Sequence, residues 1–84
     1  MAKPRIIGRV RRDGDRTMLI APERGFVLSE TAHAIIELCD GTRDECEIAD
    51  ILATRFSADR ETILRDIATL LATLRSRALV EDVL

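Results

Sequence analysis

Tryptophan and tyrosine are absent from this 84-residue chain, histidine occurs once, and cysteine and proline twice each. Each shortage removes a class of function. With no aromatic residue near them in the sequence, Arg60, Arg65, Arg75 and Arg77 are expected to lack a platform on which nucleic-acid bases could stack. His33 sits one residue from an apolar helical stripe, and no motif places a nucleophile next to it, so a packing role outweighs that of a catalytic base. Cys39 and Cys46 are separated by six residues, a spacing that matches no common metal or redox motif. Cys39 reads as core and Cys46 as a small helix residue. The four glycines, at 8, 14, 25 and 41, stand alone as turn residues rather than forming a phosphate loop.

Long apolar runs are also missing. None approaches the ~20 residues needed to span a bilayer, which argues against a membrane partner. Met1-Ala2-Lys3-Pro4-Arg5 has no apolar stretch behind it, so no secretory signal is expected and the cytoplasm is the expected location. Neither charge sign dominates: 13 basic side chains face 15 acidic ones, for a formal net charge of −2. Nucleic acid gains no support from that balance. Asp44, Glu45, Glu47 and Asp50 crowd one helix as a cap and a solvated face, not as a carboxylate pair. The residues therefore predict no enzyme, no cofactor and no metal.

What is present is globular: 46% of the residues are apolar and 33% charged, enough for one small core in a single domain over residues 1–84. At this size burial alone supplies only a few kcal/mol, so a dimer or a bound partner is expected to add stability. The run from Ala21 to Arg43 organises the rest. Ala21-Pro22-Glu23-Arg24-Gly25 is turn chemistry, Phe26-Val27-Leu28 follows as a strand, and Ser29 caps a helix with apolar positions Ala32, Ile35, Ile36 and Cys39. Asp40-Gly41 stops it. Upstream, Ile6 to Arg11 and Thr17 to Ile20 read as two strands joined by an Asp13-Gly14 turn.

Downstream, Thr42 to Glu45 has a capping-box arrangement for a second helix with stripe Ile48, Ile51, Leu52 and Phe56. Asp59 is the expected cap of a third and longest helix. Its apolar face holds Ile63, Ile67, Leu70, Leu71 and Leu74, with Leu64, Ala68 and Arg75 on the shoulder. Leu79 and Val80 read as a short closing segment. The pattern predicts an α+β domain of winged-helix type, a three-stranded antiparallel sheet followed by three helices.

A small sheet leaves an edge whose unpaired amides and carbonyls can accept an extended peptide, or can be closed by a second copy of the chain. Leu19-Ile20-Ala21-Pro22-Glu23, the Leu28 to Ala32 helix entry and Ile36-Glu37-Leu38-Cys39-Asp40-Gly41 resemble the pyrroloquinoline quinone biosynthesis protein D (PqqD) family. Glu47 to Leu52 and the stretch from Asp66 to Val80 extend that resemblance over nearly the whole chain.

The resemblance implies a non-catalytic peptide chaperone with winged-helix architecture. Such a chaperone captures a ribosomally made, PqqA-like precursor peptide as an added strand and presents it to a PqqE-like radical S-adenosylmethionine enzyme. Carried onto this chain, Gly25, Phe26, Val27 and Leu28 supply the pairing edge. Leu64, Ala68, Leu71 and Arg75 form the facing wall, with Arg75 meeting an acidic peptide side chain. Two other readings stay open: a winged-helix nucleic-acid binder using the third-helix arginines, and a small structural homodimer closed through its sheet edge.

Overall fold

The computed structural model describes residues 2–21 and 24–84, and the side chain of Arg24 is not among what it describes. The expected Pro22-Glu23 turn lies outside the described residues. The chain runs β1 (Lys3–Ile6), β2 (Arg9–Asp13), β3 (Arg16–Ala21), β4 (Arg24–Leu28), α1 (Glu30–Leu38), α2 (Glu45–Phe56), α3 (Arg60–Ser76) and β5 (Val80–Val83). The expected α+β, winged-helix-like order is present, with a three-stranded antiparallel sheet in the order β2-β3-β4. A second, two-stranded sheet of β1 and β5 was not foreseen.

The reason lies at Gly8. The expected strand from Ile6 to Arg11 is in fact two strands in two different sheets. Gly8 between them has φ +118°, and a Cβ there would stand 2.7 Å from the Ile20 carbonyl oxygen. Only glycine permits that approach at that φ, and the chain turns there from one sheet into the other. The hairpin from β2 to β3 behaves as expected: Asp13 pairs with Arg16, and Gly14, at φ 62°, supplies the turn.

The small sheet grips the end of α1. The Ile6 amide donates to the Cys39 carbonyl at 3.0 Å and the Gly41 amide to the Pro4 carbonyl at 3.0 Å. Arg5 forms an ion pair with Glu81 across the β1–β5 ladder. Ser29 caps α1 as expected, accepting from the Ala32 amide at 3.1 Å.

The capping box of α2, however, sits two residues later than Thr42 and Glu45. Asp44 accepts from the Glu47 amide at 2.9 Å, and Glu47 accepts from the Asp44 amide at 3.2 Å. Thr42 is already committed to Asp40, which accepts from both its amide and its hydroxyl. Asp59 stands at the N-cap of α3, but its carboxylate accepts from the Thr62 hydroxyl rather than from a helix amide.

Leu19, Ile35, Ile48, Leu52, Ile67, Leu71 and Leu74 are the large, fully buried side chains where the sheet and helices meet. In α2 the buried stripe is Ile48, Ala49 and Leu52. Ile51 and Phe56, expected inside, are 37% and 39% exposed. Ile51 lies on the flank of that stripe, whereas Phe56 continues it one turn past Leu52 but is the last residue of α2, where the cover over the stripe ends.

Candidate functional site

β4 is one of the two edge strands of the larger sheet, β2 being the other, and leaves main-chain groups available. It pairs with β3 from Thr17↔Leu28 to Ala21↔Arg24, and among the described residues no strand lies on its other flank. Its side chains alternate. Leu28 is in the core, Phe26 packs half-buried against it, and Gly25 and Val27 face out, Val27 being 62% exposed. Inward anchoring by Phe26 and Leu28 fixes the strand, while the open flank keeps amides and carbonyls that can pair with an extended segment.

α3 has two shoulders, and the structure treats them differently. The buried ridge is Ile63, Ile67, Leu71 and Leu74. Asp66, Thr69, Leu70 and Thr73 lie to one side of it. With Ala32 and Ile35 from α1, they line a cleft of about 550 Å³ that opens beside the end of β4. One turn further along the same side, the Arg77 guanidinium lies 4.6 Å from the centre of the Phe26 ring, in cation–π contact. Arg77 therefore ties the end of α3 to β4.

Leu64, Ala68 and Arg75 occupy the other shoulder. Arg75 is held there by a bidentate contact to Asp82 of β5, Nε at 3.0 Å and Nη2 at 2.7 Å. Glu45 of α2 stands 3.8 Å away. The hydrogen bonds from Arg75 hold the Asp82 carboxyl below its ordinary range.

The sequence-predicted residues therefore separate. Gly25, Phe26, Val27 and Leu28 come together on the edge strand. Leu71 is 0% exposed and belongs to the core, and Arg75 is engaged by β5. Leu64 is half-buried against the core, and Ala68 is exposed on the shoulder away from the cleft. On the other shoulder Asp66, Leu70 and Thr73 face the cleft shared with α1, and Arg77, the residue just past α3, reaches Phe26 of β4. A register of three and four residues was visible for both shoulders, and no sequence signal told which one α2 and β5 would close.

The titratable groups show little catalytic preparation. Burial, then the charges of Asp40 and Glu45, pushes the Cys39 thiol up to about 12, which makes it a poor nucleophile. His33 Nε2 lies 2.9 Å from Glu37 on the surface of α1. Among the described residues no three His, Cys, Asp or Glu side chains are grouped to hold a metal ion, and no described helix is long and apolar enough to cross a membrane.

Comparison with known proteins gives one consistent answer. The family profile described as Coenzyme PQQ synthesis protein D (PqqD) matches residues 16–80. A "PqqA binding protein" of Rhodopseudomonas palustris is 40% identical over 67 residues, which cover 80% of this chain and 66% of the relative, so the match spans just under two thirds of that protein. A protein of the same description from Xanthomonas oryzae pv. oryzae is 39% identical over 94% of this chain and 90% of its own length. Among solved structures, the PqqD truncation of Methylobacterium extorquens PqqCD matches with a TM-score of 0.80 and 36% identity, over 93% of this chain and 87% of that one. That structure is described as a functional, stand-alone recognition element for ribosomally synthesised and post-translationally modified peptides. An open edge strand beside a helical cleft is thus found on a chain that belongs to the PqqD family.

Proposed function

We propose that this chain is a non-catalytic peptide-recognition domain of pyrroloquinoline quinone biosynthesis, acting in the cytoplasm as one unit over residues 1–84. It takes a segment of a ribosomally made precursor peptide as an added strand on β4 and presents it to a radical S-adenosylmethionine enzyme, which performs the chemistry. The observation that carries this reading is the position of β4, with no strand on its outer flank among the described residues and a cleft of α1 and α3 that reaches Ser29, the residue next after the strand. Main-chain hydrogen bonds from residues 25–28 would supply affinity, and Asp66, Leu70, Thr73 and Arg77 would select side chains. The description of the relatives as PqqA binding proteins supports the same reading.

Two positions of the wall expected from sequence, Leu71 and Arg75, act differently here: Leu71 builds the floor under α3, and Arg75 fastens β5. Titration of the ¹⁵N-labelled protein with the pathway's precursor peptide tests the proposal. Amide signals of residues 25–28 should shift, and those of β1 and β5 should stay in place. Unmoved signals at 25–28 in the presence of excess peptide would refute strand addition.

A further inference from the structure

Charge is divided unevenly along this chain. Residues 1–28 hold seven basic and three acidic side chains, whereas residues 29–84 hold six basic and twelve acidic. Part of the positive share lies on the sheet face turned away from the helices. Leu19 and Leu28 point into the core, so their strand neighbours point the opposite way. The ladder aligns them in two rows, Arg9–Ile20–Gly25 and Arg11–Met18–Val27, with Arg16 at the hairpin end.

The result is a short apolar strip flanked by three exposed arginines, with one exposed carboxylate, Asp13, opposite Arg16 at the hairpin end. None of the three side chains makes an ion pair or hydrogen bond among the described residues, whereas those of Arg5, Arg43, Arg60 and Arg75 all do. Every residue of β2 is exposed, so this strand adds almost nothing to the core.

We infer that this face is a docking surface for an acidic patch on a second protein, the enzyme that receives the peptide. The inference rests on the reading of the chain as a peptide-presenting domain. Three observations favour that occupant. Arginine and methionine around an apolar centre are the composition of a protein interface rather than of a phosphate track. Two of the three arginines, Arg9 and Arg11, have no carboxylate opposite them on this face among the described residues, and carboxylates of another protein complement such a charge. And β2 lies at the opposite edge of the sheet from β4, about 10 Å away at ordinary strand spacing, so one partner can hold the arginine face while the free flank of β4 holds the peptide.

The test measures two affinities separately on one variant, R9E/R11E/R16E. The probes are the purified radical S-adenosylmethionine enzyme of the pathway and its precursor peptide. Enzyme binding should weaken at least about tenfold while peptide binding changes less than about twofold. The neutral variant R9Q/R11Q/R16Q should fall between, and wild-type affinity for the enzyme should drop as salt is raised. That salt dependence needs no variant to fold. Unchanged enzyme binding in both variants overturns the inference, as does a parallel loss of peptide binding or a wild type that does not bind the enzyme. Retention of wild type on a DNA duplex, lost in the variants while enzyme binding persists, overturns it in favour of nucleic acid. A wild type that binds the enzyme but not the peptide leaves the arginine face standing and refutes strand addition instead.

Discussion

The two sheets of this molecule are built from similar strand lengths and put to opposite uses. In the β1–β5 sheet three of the four charged side chains, all but Lys3, are spent internally: Arg5 on Glu81, and Asp82 on Arg75. Its backbone also stitches down the end of α1. In the β2-β3-β4 sheet the β2 arginines make no side-chain ion pair and no strand covers the outer flank of β4, among the described residues. The same contrast recurs on α3, where β5 and α2 close one shoulder and the other lines a cleft. Satisfied charge marks the part of the fold that holds shape, and unsatisfied charge and backbone mark the part that meets other molecules.

The comparison breaks first if the ridge between the shoulders is not structural. Leu71→Ala removes a fully buried side chain and should cost about 2–5 kcal/mol, enough to leave so small a domain largely unfolded at 37 °C. A denaturant midpoint within error of wild type would mean that Leu71 is no core residue. Gly8→Ala comes next. The added Cβ meets the Ile20 carbonyl oxygen at 2.7 Å, with the backbone at φ +118°. A loss of about 1–3 kcal/mol is expected, read as a lower midpoint with β1 amides exchanging faster.

How much of this was visible in the residues follows from the range of the interactions. The Asp13-Gly14 hairpin, the Ser29 cap and the Asp40-Gly41 stop are set by neighbours three or four positions apart, and they were readable. Pairing of Lys3–Ile6 with Val80–Val83 spans nearly the whole chain, and neither segment looks like a strand: one contains Pro4, the other Glu81 and Asp82. The edge strand of the candidate site was legible because alternation places Phe26 and Leu28 together. Its helical wall was not, because α3 offers Leu64 and Ala68 on one shoulder and Thr69 and Leu70 on the other. Asp82, distant from both in sequence logic, decides between them by capturing Arg75.

That choice of shoulder can be sharpened with a matched pair. Leu64 and Leu70 are both half-buried against the core, so Leu64→Ala and Leu70→Ala should lower stability by comparable amounts, about 1 kcal/mol each. Peptide affinity should separate them. Leu70→Ala, which empties part of the cleft, should weaken binding about tenfold, equivalent to about 1.4 kcal/mol. Leu64→Ala should leave binding within about twofold. Equal effects would place the peptide elsewhere, and the reverse order would restore the shoulder on which Ala68 and Arg75 lie.

The smallest expected effect lies at the closed sheet and concerns acid. Asp82 has its carboxyl lowered from 3.8 by the Arg75 hydrogen bonds, with burial opposing and the Arg75 charge assisting. A carboxylate whose folded value is depressed adds stability that is complete above its unfolded value and disappears as pH falls through the folded one. The contribution should therefore be constant from neutrality down to about pH 5 and fade below about pH 4. Both partners are exposed, which holds it to about 1 kcal/mol or less, a few degrees of melting temperature in a chain of this size. Asp82→Asn should remove that increment at pH 7 and flatten the decline of melting temperature between about pH 5 and pH 3. Peptide binding at pH 7 should not change, because the pair fastens β5 to the shoulder opposite the cleft. A variant that keeps the wild-type acid slope, or loses peptide affinity at neutral pH, would erase the distinction between the closed sheet and the open one.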